Sequence, residues 1–337
     1  MQSGTMNVIV YGLGPIGMKI LQHALQATNV KVIGAVDINP ELVGKDAGEL
    51  ANGAPIGVRV VRSLSEIDAT RAIAPKIALH ATGSNLASVW PQFRDLMDHG
   101  YSVVSTCEQL SYPWNRYPEL SQEMNDYAVR TGQFIIGTGV NPGYVMDTLT
   151  VMATTVTQKL NKIRVSRTVD VSKRRIPLQK KVGIGMQPEE FMKLAEEDRI
   201  GHVGLEESLR LIAYGLKLNL TEVTNSIQPT IANEEVILAI GPLKMNEVSG
   251  LHQIAKGSTQ EGIPIELDLV MSVGVNTQDR ILLETEDMGE VEFVIPNGIF
   301  GDTATVNVVV NTAKTMFSTK EAGLLTMADI RLTRNAV

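Results

Sequence analysis

Gly12, Gly14 and Gly17, in the run Tyr11-Gly12-Leu13-Gly14-Pro15-Ile16-Gly17, are spaced to cradle a pyrophosphate, and Asp37, about 20 residues on, is placed to accept hydrogen bonds from a ribose diol. Gly12 permits a tight turn, Gly14 lets a phosphate approach the backbone through Leu13, Pro15 and Ile16, and Gly17 lets helix and strand pack closely. The competing reading is a glycine turn in an ordinary strand–helix–strand unit. Glu108, in Ser105-Thr106-Cys107-Glu108-Gln109, is the candidate for proton transfer, as a lone carboxylate with apolar neighbours such as Val104, Leu110 and Trp114. Such a setting raises a carboxylate's pKa and suits it to general acid–base work, unless the residue is only a solvated loop glutamate. Thr82 and Gly83 are placed to wrap the nicotinamide-side ribose and phosphates, and the amide of Asn141 to bond the carboxamide or ribose; both stretches also read as plain turns. Arg167 is a candidate bidentate clamp for a substrate carboxylate, against the alternative of a solvated basic hairpin with Lys173, Arg174 and Arg175. His202, in Gly201-His202-Val203-Gly204, could reach a site or simply pack. Cys107 is weighed as a thiol nucleophile and read instead as a packed residue, because no histidine lies near it in the chain.

Those residues need a particular scaffold. An apolar, β-branched run at 7–10 precedes the glycines, an amphipathic stretch with Ile16, Ile20, Leu21, Ala24 and Leu25 follows, and a second apolar run at 30–36 ends at Asp37. Strand-like runs at 58–61, 76–82, 101–105 and 134–137 then alternate with helix-like stretches at 65–72, 86–99 and 118–131, the last two closed by Gly100 and Gly132. Strands alternating with helices give a parallel sheet with right-handed crossovers. The pattern changes near Asn141-Pro142-Gly143. Helical patterns at 146–159, 188–197 and 205–216 mix with strand patterns at 163–171, 221–239, 251–257, 264–272 and 280–284, and an apolar helix capped by Asp302 or Thr303 runs to 317. The fold class is α/β: an N-terminal Rossmann, doubly wound parallel sheet plus an α+β second domain with a mixed sheet. The boundaries fall at 1–145 and 146–297, with the tail 298–337 returning to the first domain.

With 337 residues, 44% hydrophobic and 20% charged, the chain fits two globular domains. Its formal net charge of -7 argues against a nucleic-acid or membrane-surface partner. No apolar stretch is long enough to span a bilayer, and the first residues lack the pattern of an export signal, so cytoplasm is expected. The five histidines are not spaced as metal ligands, so no metal is expected.

Three stretches, Ser105-Thr106-Cys107-Glu108, Asn141-Pro142-Gly143-Tyr144-Val145-Met146-Asp147 and Arg175-Ile176-Pro177-Leu178-Gln179-Lys180-Lys181-Val182-Gly183, resemble the 2,4-diaminopentanoate dehydrogenase and native amine dehydrogenase family, as does Gly301-Asp302-Thr303-Ala304-Thr305. The resemblance covers nearly the whole chain. It implies a dihydrodipicolinate reductase-like fold, reversible NAD(P)-dependent deamination of an amine to a ketone and ammonia, and a homodimer built through the second domain. It makes Glu108 the catalytic carboxylate, and places Tyr144 and Val145 in the substrate pocket and Arg167 and His202 at its polar end. Asp37 favours NAD, since a carboxylate repels a 2′-phosphate, while Lys45 in the following loop leaves NADP open. The alternatives are a C=N or C=O reductase of amino-acid biosynthesis and a dinucleotide-binding sensor without turnover. The reductase reading departs from its own pattern here, because the chain has no adjacent histidines.

Overall fold

In this computed structural model residues 4–67 and 76–335 are described. The first strand, β1 (Met6–Tyr11), is buried on both faces at Val8, Ile9 and Val10, as a central parallel strand must be when helices cover both sides of its sheet. Helix α1 (Pro15–Gln26) lays Ile20, Leu21 and Ala24 against it. There follow β2 (Val30–Val36), α2 (Ala47–Asn52), β3 (Val60–Val61), β4 (Lys76–His80), α3 (Leu86–Asp98), β5 (Tyr101–Ser105), α4 (Pro118–Thr131) and β6 (Phe134–Gly137).

The chain continues through α5 (Thr148–Ala153), β7 (Leu160–Asp170), α6 (Ile176–Lys181), α7 (Pro188–Glu196), α8 (Leu205–Leu216), β8 (Leu220–Ile231), β9 (Val236–Leu238), β10 (Gly241–Leu243), β11 (Val248–Thr259), β12 (Ile265–Ser272), β13 (Gln278–Thr285) and β14 (Gly289–Pro296). It ends with α9 (Gly301–Met316) and β15 (Gly323–Leu325). Two compact units result. One comprises Met1–Tyr144 with Phe300–Val337, the other Val145–Ile299.

The first unit holds a seven-stranded parallel sheet in the order β15-β6-β5-β4-β1-β2-β3. The order reverses beside β1, so the connections leaving β1 and β4 run to opposite sides of the sheet and leave a crevice at its carboxyl edge, where such sheets bind ligands. Helix α9 packs on α1, and Lys19 bonds Asp302 across them at 3.4 Å. Phe300, not Asp302 or Thr303, occupies the cap position of α9 and no side chain caps it, a correction to the sequence reading.

The second unit holds a mixed six-stranded sheet, β14-β13-β7-β12-β11-β8, whose single parallel pair is β7 with β12. Helix α8 covers the face that carries Gly257, where a Cβ would meet Leu209 at 2.9 Å. The helical pattern at 146–159 yields α5 and a 3₁₀ turn at Thr154–Val156. The hydroxyls of Thr154 and Thr157 donate to the carbonyls of Val151 and Thr154, closing the helix early and freeing β7 to start at Leu160. Strand β14 carried no legible alternation, and the basic residues Lys173, Arg174 and Arg175 lie in a turn that leads into α6, whose last turn adds Lys180 and Lys181. Of the helix or turn expected at 65–72, Leu64–Glu66 form a 3₁₀ turn capped by Ser63, and the rest lies outside the described residues.

Candidate active site

The glycine turn is built by exclusion. Gly12 sits at φ +89°, where a side chain is strained, and a Cβ there would lie 2.7 Å from Thr82 and 2.8 Å from the Ala81 carbonyl. A Cβ on Gly17 would lie 1.8 Å from the Gly12 carbonyl, so only glycine lets α1 start this close to β1. Gly14 differs: nothing stands within 4 Å of where its Cβ would be. Gly14 and Pro15 are exposed, Ile16 is half-buried, and Leu13 is buried beneath them. Gly14 is also the cap residue of α1, no side chain caps that helix, and no acidic residue occupies its first turn. An open cradle at an uncapped, twelve-residue helix end fits a dinucleotide pyrophosphate. Asp37, at the end of β2, accepts the Leu13 N–H at 2.5 Å on Oδ2 and the Asn39 N–H at 2.7 Å on Oδ1. The carboxylate is thereby fixed beside the glycine turn and keeps lone pairs for a ribose diol.

The exits of β4 and β5 are stitched together by side chains on either side of Glu108. Cys107, fully buried, donates its Sγ–H to the Ser84 carbonyl at 3.2 Å. Gln109, also buried, accepts the Leu86 N–H at 2.8 Å and the Tyr117 hydroxyl at 2.9 Å on Oε1. Glu108 is held between these two anchors, half-buried, in a 3₁₀ turn of residues 108–110. The thiol's bond to a carbonyl fits the reading of Cys107 as a packed residue. Thr82 and Gly83 are exposed on the β4 exit, and Asn85 caps α3 by accepting the Ser88 N–H at 3.0 Å. The β6 exit, residues 138–143, is tied to α9 where the Val140 N–H donates to Thr305 Oγ1 at 3.2 Å, and it carries Asn141, half-buried. Tyr144 ends the first unit, half-buried, and Val145 opens the second, buried.

In the second unit Arg167 lies in the middle of β7, 4% exposed. It donates to Asp279 Oδ1 at 2.6 Å and to the Ile299 carbonyl at 2.8 Å, and Asp279 Oδ2 accepts the Ile299 N–H at 2.7 Å. Two of its donors are thus spent inside the protein, which the sequence reading of a free carboxylate clamp did not foresee. His202 follows Gly201, and its backbone N–H donates to Gln253 at 2.9 Å. Burial, and then the charges of Lys181 and Arg167, push its pKa down to about 3 and keep the ring neutral. The structure brings together Gly12, Leu13, Gly14, Pro15, Ile16, Gly17, Asp37 and Thr82 in one crevice. It sets Arg167 and His202 within electrostatic reach of each other. Sequence reasoning missed Asp279, whose partner lies 112 residues away, and Gln109, which reads as a surface amide.

Among the described residues no group of His, Cys, Asp and Glu could hold a metal ion, and no helix is long and apolar enough to cross a membrane.

The sequence model of the 2,4-diaminopentanoate dehydrogenase C-terminal domain matches residues 144–337, and that of the dihydrodipicolinate reductase N-terminus matches residues 6–77. The chain is 26% identical to a 2,4-diaminopentanoate dehydrogenase of Acetoanaerobium sticklandii, over 97% of this chain and 94% of the relative. It superposes on an amine dehydrogenase from Mycobacterium smegmatis with a TM-score of 0.86 at 24% identity, covering 98% of each chain. GenD2 from gentamicin A biosynthesis, solved in complex with NAD, shares the fold with a TM-score of 0.55 at 15% identity, over 87% of this chain and 73% of its own.

Proposed function

The chain belongs to the 2,4-diaminopentanoate dehydrogenase family, and we propose that it catalyses reversible deamination of an amine: amine, oxidised nicotinamide dinucleotide and water become ketone, ammonia, reduced dinucleotide and a proton. It is an enzyme that uses a nicotinamide dinucleotide. The observation that carries the reading is Glu108 held at a strand exit of the dinucleotide unit by anchors on both sides. The bound dinucleotide supplies the hydride acceptor. Gly12, Gly14 and Gly17 with the N-terminus of α1 hold its pyrophosphate, Asp37 and Thr82 its riboses, and Asn141 the nicotinamide end. Glu108 takes a proton from the water that adds to the imine carbon and returns it to the departing ammonia; in the amination direction the same oxygen serves in reverse. Tyr144, Val145 and His202 line the substrate side.

Asp37 supports NAD over NADP, because its fixed carboxylate would face a 2′-phosphate. Arg167, already paired, supports a substrate without a carboxylate, such as a simple aliphatic or cyclic amine. We place the enzyme in the cytoplasm as a homodimer joined through the second unit. The match of residues 6–77 to dihydrodipicolinate reductases favours a second reading, reduction of a C=N or C=O bond without ammonia.

The test is oxidation of NADH, with NADPH alongside, in excess ammonium with cyclohexanone and with 4-oxopentanoate. Ammonium-dependent turnover of cyclohexanone is the expected result. Turnover of the keto acid alone would return Arg167 to carboxylate recognition, and ammonium-independent turnover would favour the reductase. Glu108→Gln should lower kcat by about 10²–10⁴-fold with NADH affinity kept. Full activity in that variant would remove Glu108 from the chemistry.

A further inference from the structure

The imidazole of His80 is fully buried and unused by the chemistry above. It closes β4, directly opposite Ser105 at the end of β5. Tyr11 stacks on it at 5.6 Å and Phe93 meets it edge-on at 4.7 Å. Burial pushes its pKa down to about 4, leaving it neutral at physiological pH. A neutral ring has one N–H, and the neighbours decide which nitrogen carries it.

Gln92 Oε1, 2.7 Å from Nε2, can only accept, so the ring proton belongs on Nε2. Nδ1 is then an acceptor and takes the hydroxyl proton of Ser105, 2.9 Å away, whose Oγ also accepts the Cys107 N–H at 3.0 Å. Thr82 Oγ1 lies 2.9 Å from the same Nε2 and donates to the same Gln92 oxygen at 2.7 Å. One ring therefore has two arms. The Nδ1 arm runs through Ser105 to the N–H of Cys107, next to Glu108. The Nε2 arm runs through Gln92 to the hydroxyl of Thr82, whose methyl stands against Gly12 in the pyrophosphate turn.

We infer that His80 is a positioning residue that sets the proton-transfer carboxylate and the dinucleotide-binding turn from a single neutral imidazole, its Nδ1 arm fixing the turn of Glu108 and its Nε2 arm fixing Thr82. The inference rests on the reading of Glu108 and Thr82 above and adds a residue that touches neither substrate nor dinucleotide. The two arms are chemically separable. An asparagine amide overlays the Nδ1 side of the ring, so His80→Asn keeps an acceptor for Ser105 and loses the link to Gln92 and Thr82. A glutamine amide reaches the Nε2 side, so His80→Gln keeps a donor for Gln92 and loses Ser105.

The experiment measures kcat by ammonium-dependent NADH oxidation, NADH affinity by fluorescence titration and Tm, in both variants and in Glu108→Gln. The expected result is a crossing pattern. His80→Gln loses about 10–100-fold in kcat and keeps NADH affinity, whereas His80→Asn loses about tenfold in NADH affinity and keeps most of kcat, since small misplacement of a reacting group costs on this order. Ser105→Ala should copy the glutamine variant and Gln92→Met, which removes the acceptor shared by His80 and Thr82, the asparagine variant, which covers the case in which a His80 variant does not fold. Parallel losses of kcat and affinity that follow Tm in all four, or no loss in any, overturn the inference. If Glu108→Gln keeps full turnover, the reading of the site itself fails and the Nδ1 arm with it. If Glu108→Gln is inactive and the crossing pattern is absent, only His80 is reassigned.

Discussion

Two places in the molecule, one in each unit, bury polar groups in opposite ways. At the strand ends of the first, the buried side chains are neutral: His80 bonds the side chain of Ser105, and Ser105, Cys107 and Gln109 bond backbone N–H and C=O groups. In the middle of the second, Arg167 and Asp279 are formal charges, both nearly inaccessible, that satisfy each other and the backbone of Ile299. A neutral network costs little to desolvate and aims groups; a buried ion pair costs much and is severe to break. The lesson is a division of labour in which the first arrangement sets geometry for chemistry and the second holds the chain in place.

That division can be broken by experiment, and Glu108→Gln is the sharpest probe, since it should remove turnover and leave the urea midpoint unchanged. Asp279→Leu should do the reverse. Leaving Arg167 charged and unpaired costs about 3–5 kcal/mol, read as a lower urea midpoint, and adding Arg167→Met should recover most of it. If Asp279→Leu abolishes turnover at unchanged stability, the pair belongs to the chemistry after all. Acid tests both units together. His80 and His202 are neutral in the fold, with pKa values near 4 and 3 against an ordinary 6.5, so the unfolded chain takes up protons first. Their stability is complete above pH 6.5 and is lost as pH falls toward those values, by about 3 kcal/mol for His80. Urea unfolding at pH 7 and pH 4.5 measures it, and His80→Gln should flatten the slope. The smallest effect is expected from Cys107→Ser, which keeps a donor for the Ser84 carbonyl and should change kcat by no more than about twofold. A nucleophilic thiol would lose all activity.

The contrast also explains what was legible in the sequence. Gly12, Gly14, Gly17 and Asp37 could be read because their geometry is local: a turn, a helix start and the next strand end. The parallel sheet followed from alternation alone. Arg167 was found by residue type, but its partners are Asp279 and Ile299, far along the chain, and no spacing rule links them. Strand β14 is mostly exposed on both faces, so it lacks the period-two signal that burial imprints. Helix α6 hides in a basic stretch whose buried residue is a polar one, Gln179. His80 carried a faint signal, a polar residue closing the otherwise apolar run of β4.

The seventh strand of the first sheet has a consequence for how the protein is made. β6 is complete early in synthesis, but its outer neighbour β15 and the covering helix α9 leave the ribosome only after the whole of Val145–Ile299. At about 5–20 residues per second, the nascent Rossmann half carries an open, apolar sheet edge for many seconds. The final residues therefore act as the stitch that closes the product, and a chain stalled or clipped before Gly323 would present Phe134–Gly137 as a template for a neighbouring strand.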